Sequence, residues 1–401
     1  MTRPDHFALT RRKGSRWDIW LASRSMDLDR LHAMLDRLER LNERNEIEHV
    51  GKAVALDADR YVSVTRHQRE LERIFRRGQQ LIALSVDLPE PGSYLPTAIG
   101  DVPVLLVRGD DAKVRAFVNA CRHRGSAVCE EPGSGRRLSC PYHGWTYDLD
   151  GRLVAVPDRT AFTGCIEDEA LRVLPADEAH GLIVCDADPG GAADVDDYLG
   201  SMAPEIAHLG FESLTPITSY EAEVAMNWKL GSDAAMESYH VPYLHKATVG
   251  PMARVGYSYD RFGRHHRMGI LGKGDELVPT DEGDAMGLLG RMTLVHHLYP
   301  TSMMPVGAGV VAHQRCEPGR TPDTCRLRLW TYSWSDMADE EDSKRRHYVS
   351  DLLWKVVNDE DNRVCATAQR AFSSGALERV VFGAGEAGLR GMHESWDAAI
   401  A

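Results

Sequence analysis

Leu28, Leu31, Met34, Leu35, Leu38 and Leu41 recur three and four positions apart, with Arg30, Asp36, Arg37, Glu39 and Arg40 between them. That period marks one face of an amphipathic helix, expected to pack on its own domain behind a basic, loose start. A second helix is expected over 57–76, with Asp57 as its N-cap and Arg76 and Arg77 near its end. The pattern then shortens to strands over 81–84, 102–108 and 113–119, the last two joined around Gly109, with a turn at Pro89-Glu-Pro-Gly-Ser. A continuous apolar run over 181–186 reads as a buried strand, and the Gly/Ala/Asp-rich stretch 187–196 as a linker. In the second half, alternation before Met226 predicts a half-exposed strand, and Asn227 opens a helix. Further strands are expected over 293–299, 310–316 and 325–334, and a long helix with an acidic start over 336–369. The glycine-rich stretch 248–290 has weak periodicity and reads as a lid or entrance to a site.

Three regions follow: 1–79 as N-terminal helices, 80–186 as a β domain, and 187–401 as a mixed domain. The net charge of −13 over 401 residues argues against nucleic acid or an anionic membrane surface as the main partner. No apolar run approaches the roughly 18 residues of a membrane span, and the chain opens without a signal-peptide core. A cytoplasmic location is expected. Eight cysteines at irregular spacing do not make a disulfide framework.

Two of them stand in ligand pairs. Cys121-x-His123 and Cys140-x2-His143 are separated by sixteen residues and sit where strands should end in tight loops. Two cysteines and two histidines suit zinc. They equally suit a [2Fe-2S] cluster with thiolates on one iron and imidazoles on the other. One Cys and one His from each loop favour the cluster. Cys129 has no evident partner and reads as a small buried residue.

A second constellation follows Asn227. Asp233, Glu237 and His240 are spaced four and three apart, so a continuous helix would put them on one face. His245 lies off that face, and Pro242 supplies a break that can swing it back. Two imidazoles and one carboxylate leave open positions on a non-heme Fe(II). Glu237 is within reach as the carboxylate, and Asn358-Asp-Glu-Asp-Asn362 on the long helix offers a more distant one.

The pattern Cys-x-His-Arg-Gly followed by Cys-Pro-Tyr-His-Gly-Trp resembles the Rieske domain of ring-hydroxylating oxygenases. Asn-Trp-Lys with Asp-x3-Glu-x2-His-x4-His resembles the mononuclear iron motif of the same family, and the resemblance spans about 80–369. It implies an α+β fold: an antiparallel β Rieske domain plus a catalytic domain of helix-grip type, in which helices cover an antiparallel sheet. It implies Cys121, His123, Cys140 and His143 as cluster ligands, and His240, His245 and Asp361 as iron ligands, with Asp359 as the rival carboxylate. Asn227 and Asp233 would lie near the iron. Family members most often carry Asp three residues before the first iron histidine. Glu237 stands there instead, as in some members acting on quaternary ammonium compounds, and would bridge His240 to His143 of the partner subunit in a head-to-tail homotrimer, with or without a small β subunit.

The implied activity is O2-dependent hydroxylation of an aromatic substrate, as in aromatic hydrocarbon catabolism. The alternatives are oxidative N- or O-demethylation or C–N cleavage, and electron transfer without catalysis. Electrons from NAD(P)H are expected through a separate reductase, with or without a ferredoxin. Tyr239, Tyr243, His296, His297, Met303 and Met304 are candidate pocket residues, although tyrosines on such a helix are expected in the core.

Overall fold

The computed structural model describes residues 28–166, 169–272, 285–307 and 309–401. The expected loose start lies outside them. Leu28–Arg44 forms α1, and its stripe of Leu31, Met34, Leu35 and Leu38 is buried in one cluster with Phe262, Leu271 and Leu294.

Asp57 does not cap a helix. It ends a strand, Val54–Asp57, paired antiparallel with Arg379–Phe382. The expected helix breaks into Asp59–Val62 and Val64–Glu70 (α2), and α2 runs into a π turn, Leu71–Phe75. Ser63 makes the break. Its backbone is extended at ψ 116° and its hydroxyl accepts the Arg66 N–H, a local bond that caps a new helix instead of continuing the old one.

Gln80–Leu84 (β1) is followed by Ser93–Ile99 (β2), Val102–Arg108 (β3) and Val114–Val118 (β4). Strands β2, β3 and β4 are neighbours in a five-stranded antiparallel sheet. Leu182–Cys185 (β5) pairs with β1, so the two ends of this region lie side by side. A small sheet of Leu138–Ser139, Thr146–Tyr147 and Leu153–Ala155 carries the second Cys/His loop.

The second half is a seven-stranded antiparallel sheet of Thr215–Val224 (β6), Ala253–Phe262 (β7), His265–Gly272 (β8), Met292–Leu298 (β9), Ser302–Gly307 (β10), Val310–Pro318 (β11) and Cys325–Ser333 (β12), in the order β6-β12-β11-β10-β9-β8-β7. Strands β7 and β8 fall inside the stretch expected to be a lid, and 273–284 lie outside the described residues. Tyr257 and Tyr259 alternate with Gly256, Ser258 and Asp260 in β7, while α1 packs on one face of these strands and the C-terminal helix, Ala387–Ile400, on the other. Gly269 in β8 permits the close approach, since a Cβ there would stand 2.7 Å from Met34 Sδ.

Trp228–Ala235 forms α3, capped by Asn227, whose side chain accepts the Lys229 N–H. The helix stops at Ala235, so Asp233, Glu237 and His240 do not share one helical face. The Glu237 carboxylate takes the backbone N–H groups of Tyr239 and His240, and such bonds compete with the helical ladder. Val241–Leu244 (α4) is a single turn. Pro242 sits in its first turn and helps to start it instead of breaking a longer helix. Glu340–Lys355 (α5) and Asn362–Ser373 (α6) make up the long helix, with a π turn, Val356–Asp361, between them.

The two halves are pinned by Arg315 of β11, buried to 1% exposure, which donates to the Ile82 and Ala98 carbonyls at 3.1 and 2.9 Å and pairs with Glu317. No helix among the described residues is long and apolar enough to cross a membrane.

Beneath α3 lies a buried ion pair. Lys229 Nζ stands 2.6 Å from Glu70 Oε2, which also accepts from Trp228 Nε1 at 3.2 Å, while Arg66 donates to Oε1 at 2.8 Å. Burial pulls the Lys229 ammonium down to about 8, and the Glu70 carboxylate opposes it. Removing one partner leaves a charge buried without compensation. Glu70→Gln is expected to cost about 3–5 kcal/mol of stability, read as a lowered denaturant midpoint.

Candidate metal centres

The two Cys/His loops fold alike. Gly125 N donates to the Cys121 carbonyl at 2.8 Å, and Gly144 N to the Cys140 carbonyl at 3.0 Å. Both glycines take positive φ, 77° and 69°, which a side chain would strain. The loops bring His123 Nδ1 to 3.2 Å from His143 Nδ1. Trp145 stacks on His123 at 4.8 Å, and the Tyr142 ring lies 3.7 Å from that of His143. Cys121 and Cys140 are buried, and Cys121 Sγ stands 3.3 Å from the Tyr147 hydroxyl, which accepts the Arg122 N–H at 3.0 Å. Burial lifts the Cys121 thiol above its ordinary pKa. Two sheltered thiols and two imidazoles turned nitrogen to nitrogen can hold a cluster whose irons want different ligands. Cys129 is half-buried and carries a free thiol in the apolar cluster beside them.

The second centre draws on α4 and the π turn. His240 and His245 flank α4, and their Nε2 atoms are 3.0 Å apart. Asp361, the last residue of the π turn, places Oδ1 3.1 Å from His245 Nε2 and 3.5 Å from His240 Nε2. That oxygen is buried and without an aligned hydrogen bond. The three ligand atoms lie within 4.8 Å of one another, so lone pairs face a common point suited to a cation. Asp359 faces out instead, 3.0 Å from Asn358 Nδ2.

Each imidazole is held from behind. Glu237 bonds His240 Nδ1, and Glu360 Oε2 stands 2.5 Å from His245 Nδ1 while accepting the Thr248 hydroxyl at 2.8 Å. A carboxylate at Nδ1 fixes the proton there and leaves Nε2 free as a ligand atom. Burial lowers the His245 pKa, but Asp361 and Glu360 outweigh it and the net direction is up. Sequence reasoning missed Glu360, although the acidic run that contains it was the available signal. The π turn puts two consecutive carboxylates on one imidazole, one behind it and one in front, and such turns recur at functional sites.

Asn227 and Asp233 are not brought into this trio. The Asn227 amide donates to the Tyr61 and Pro322 carbonyls at 3.2 and 2.7 Å. Asp233 accepts from the Tyr61 hydroxyl at 2.7 Å and from His393 Nε2 at 3.0 Å. Tyr239 and Tyr243, expected in the core, are 57% and 66% exposed because α4 is a surface turn. His297 pairs with Met303 and His296 with Met304 across β9 and β10. Strand alternation splits the pairs: Met303 joins the cluster of Trp228 and Trp396, and Met304 that of α1.

The family model for the Rieske [2Fe-2S] domain matches residues 78–174, and that for the ring hydroxylating alpha subunit (catalytic domain) matches 211–401. The chain is 35% identical over 331 residues to chloroplastic choline monooxygenase of Spinacia oleracea, covering 79% of this chain and 71% of that protein. It is 32% identical over 203 residues to benzene 1,2-dioxygenase subunit alpha of Pseudomonas putida, covering 48% and 44%. It thus spans about half the length of the curated dioxygenases it matches. Among solved structures, a quaternary ammonium Rieske monooxygenase with L-carnitine superposes at TM-score 0.72 and 19% identity over 89% of this chain and 97% of that one. Naphthalene 1,2-dioxygenase with indole gives 0.70 and 20% over 88% and 93%. With both domain models matched in order and the spinach relative aligned across most of both chains, this chain belongs to the Rieske non-heme iron oxygenases, the family of the ring-hydroxylating alpha subunits.

Proposed function

We propose that this chain is the terminal oxygenase of a multicomponent system, and that it hydroxylates an aromatic substrate with O2 and electrons from a separate reductase. The observation that carries the reading is the convergence of the buried Asp361 Oδ1, which has no aligned hydrogen bond, with Nε2 of His240 and His245. Cys121, His123, Cys140 and His143 would hold the cluster, and His240, His245 and Asp361 the iron. When bound, these groups supply one-electron storage and reductive activation of O2. The protein's part is positional. Glu237 and Glu360 orient the two imidazoles, and Trp145 covers His123.

Glu237 would also face His143 of the partner subunit. Tyr142 is exposed beside His143, and Tyr239 and Tyr243 beside Glu237, which supplies aromatic surface to both sides of a head-to-tail contact that closes into a ring. Free cysteines suit a cytoplasmic setting.

Met236, Met268, Val295, Met303 and Met392 belong to one buried apolar cluster with Trp228 and Trp396, and such adaptable side chains could repack around a flat ring. A second reading, N-demethylation or C–N cleavage of an organic cation, is favoured by the acids and rings near Glu237. Burial, and then Glu237 and Asp233, raise the Glu386 carboxyl. The Tyr257 and Tyr259 rings meet edge to face at 5.7 Å, and aromatic faces with carboxylates attract quaternary ammonium groups.

Asp361→Ala is expected to keep the visible absorbance of the cluster while losing mononuclear iron and turnover, and Asp359→Ala to keep all three. Full iron and turnover in Asp361→Ala would refute the ligand set. Product mass spectrometry on the iron-loaded protein with a surrogate reductase separates the substrate readings: a phenol or cis-diol from an arene supports ring hydroxylation. Formaldehyde or C–N cleavage from a quaternary amine, with arenes untouched, moves the protein to the other branch.

A further inference from the structure

The C-terminal helix, Ala387–Ile400 (α7), carries a buried histidine that belongs to neither metal centre. His393 Nδ1 stands 2.8 Å from Arg60 Nη1, and its Nε2 stands 3.0 Å from Asp233 Oδ1. A guanidinium only donates, so Nδ1 is the acceptor and Nε2 carries the proton given to Asp233. The Tyr61 hydroxyl donates to Asp233 Oδ2 at 2.7 Å. Arg60, Asp233 and His393 are 8%, 8% and 1% exposed. Phe382 and Trp396 surround the imidazole at 5.2 and 4.8 Å, where an apolar side chain would satisfy packing alone.

Asp233 sits in the last turn of α3, and its carbonyl accepts the Met236 N–H at 3.3 Å. The Met236 carbonyl in turn accepts the Tyr259 hydroxyl at 2.7 Å. Helix α7 lies against that residue, because a Cβ on Gly388 would stand 3.1 Å from the Met236 oxygen. The next residue is Glu237, which holds His240.

We propose that His393 is a positioning residue for the metal loop: by relaying hydrogen bonds from Arg60 to Asp233, it fixes the end of α3 from which Glu237 and His240 are presented. The inference rests on reading His240, His245 and Asp361 as iron ligands. It has a polarity signature. A glutamine at this position keeps the same order, its carbonyl accepting from Arg60 and its amide donating to Asp233. Phenylalanine fills the space and breaks both bonds.

The test uses the full chain with its cluster in place, stripped of mononuclear iron and titrated anaerobically with Fe(II) against a chelator. His393→Phe is expected to weaken Fe(II) binding about tenfold or more, the scale of losses when outer partners of metal ligands are removed. His393→Gln is expected to stay within about threefold, with the cluster absorbance unchanged in both. Wild-type affinity in His393→Phe, or a loss in His393→Gln equal to that in His393→Phe, overturns the proposal. If His393→Phe does not fold, Tyr61→Phe replaces it, because it removes one donor to Asp233 and keeps the ring stacked on Phe372 at 5.0 Å. It should weaken binding measurably, and an unchanged affinity there overturns the proposal. Failure of the wild-type protein to bind Fe(II) at this centre would sink the ligand assignment itself, so the two failures are distinguishable.

Discussion

A buried carboxylate oxygen without a hydrogen-bond donor is costly, and Asp361 Oδ1 is such an atom. It is tolerable only if something positive completes it, and two imidazole nitrogens stand beside it with their own lone pairs turned the same way. Much of the second half is arranged to hold that convergence. The α3 helix ends early, α4 is one turn long, and the π turn between α5 and α6 brings Glu360 and Asp361 to opposite sides of His245. Each of these departures from regular structure moves a side chain toward one point.

The supporting layer is as charged as the site itself. On α3, Lys229 pairs with Glu70 and Asp233 bonds His393, which accepts from Arg60, and Arg315 pairs with Glu317 at the junction of the two halves. Buried ion pairs add little net stability compared with apolar packing, but they punish misplacement strongly. The exact end of a helix matters in this protein, and such pairs hold it in register in a way that a methionine-lined cluster, which repacks easily, would not.

The Rieske half reaches its geometry by repetition. Two loops of different sequence make the same turn, each with a glycine four residues after its cysteine and a left-handed backbone there. The Cys/His pairs were visible in the sequence, whereas the shared glycine turn emerges only from the backbone. The long-range strands also showed through, 102–108 and 310–316 from short apolar runs and 325–334 from alternation.

Elsewhere the pattern misled, each time for a local reason. Ser63 and Glu237 bond their own neighbours' amides, so helices that period alone would extend are broken there. Strands β7 and β8 went unread, although Tyr257 and Tyr259 alternate with Gly256, Ser258 and Asp260, because the glycines at 256, 263, 269 and 272 read as a loop. The amino-acid sequence carried the candidate donors: two Cys/His pairs, two more histidines, Glu237, and an acidic run that offers a more distant carboxylate. Only the tertiary structure decided that Asp361 and not Asp359 turns inward, that Glu360 stands behind His245, and that Asp233 answers to His393. Those choices depend on the pitch of a π turn and on contacts between segments more than a hundred residues apart, which no local spacing encodes.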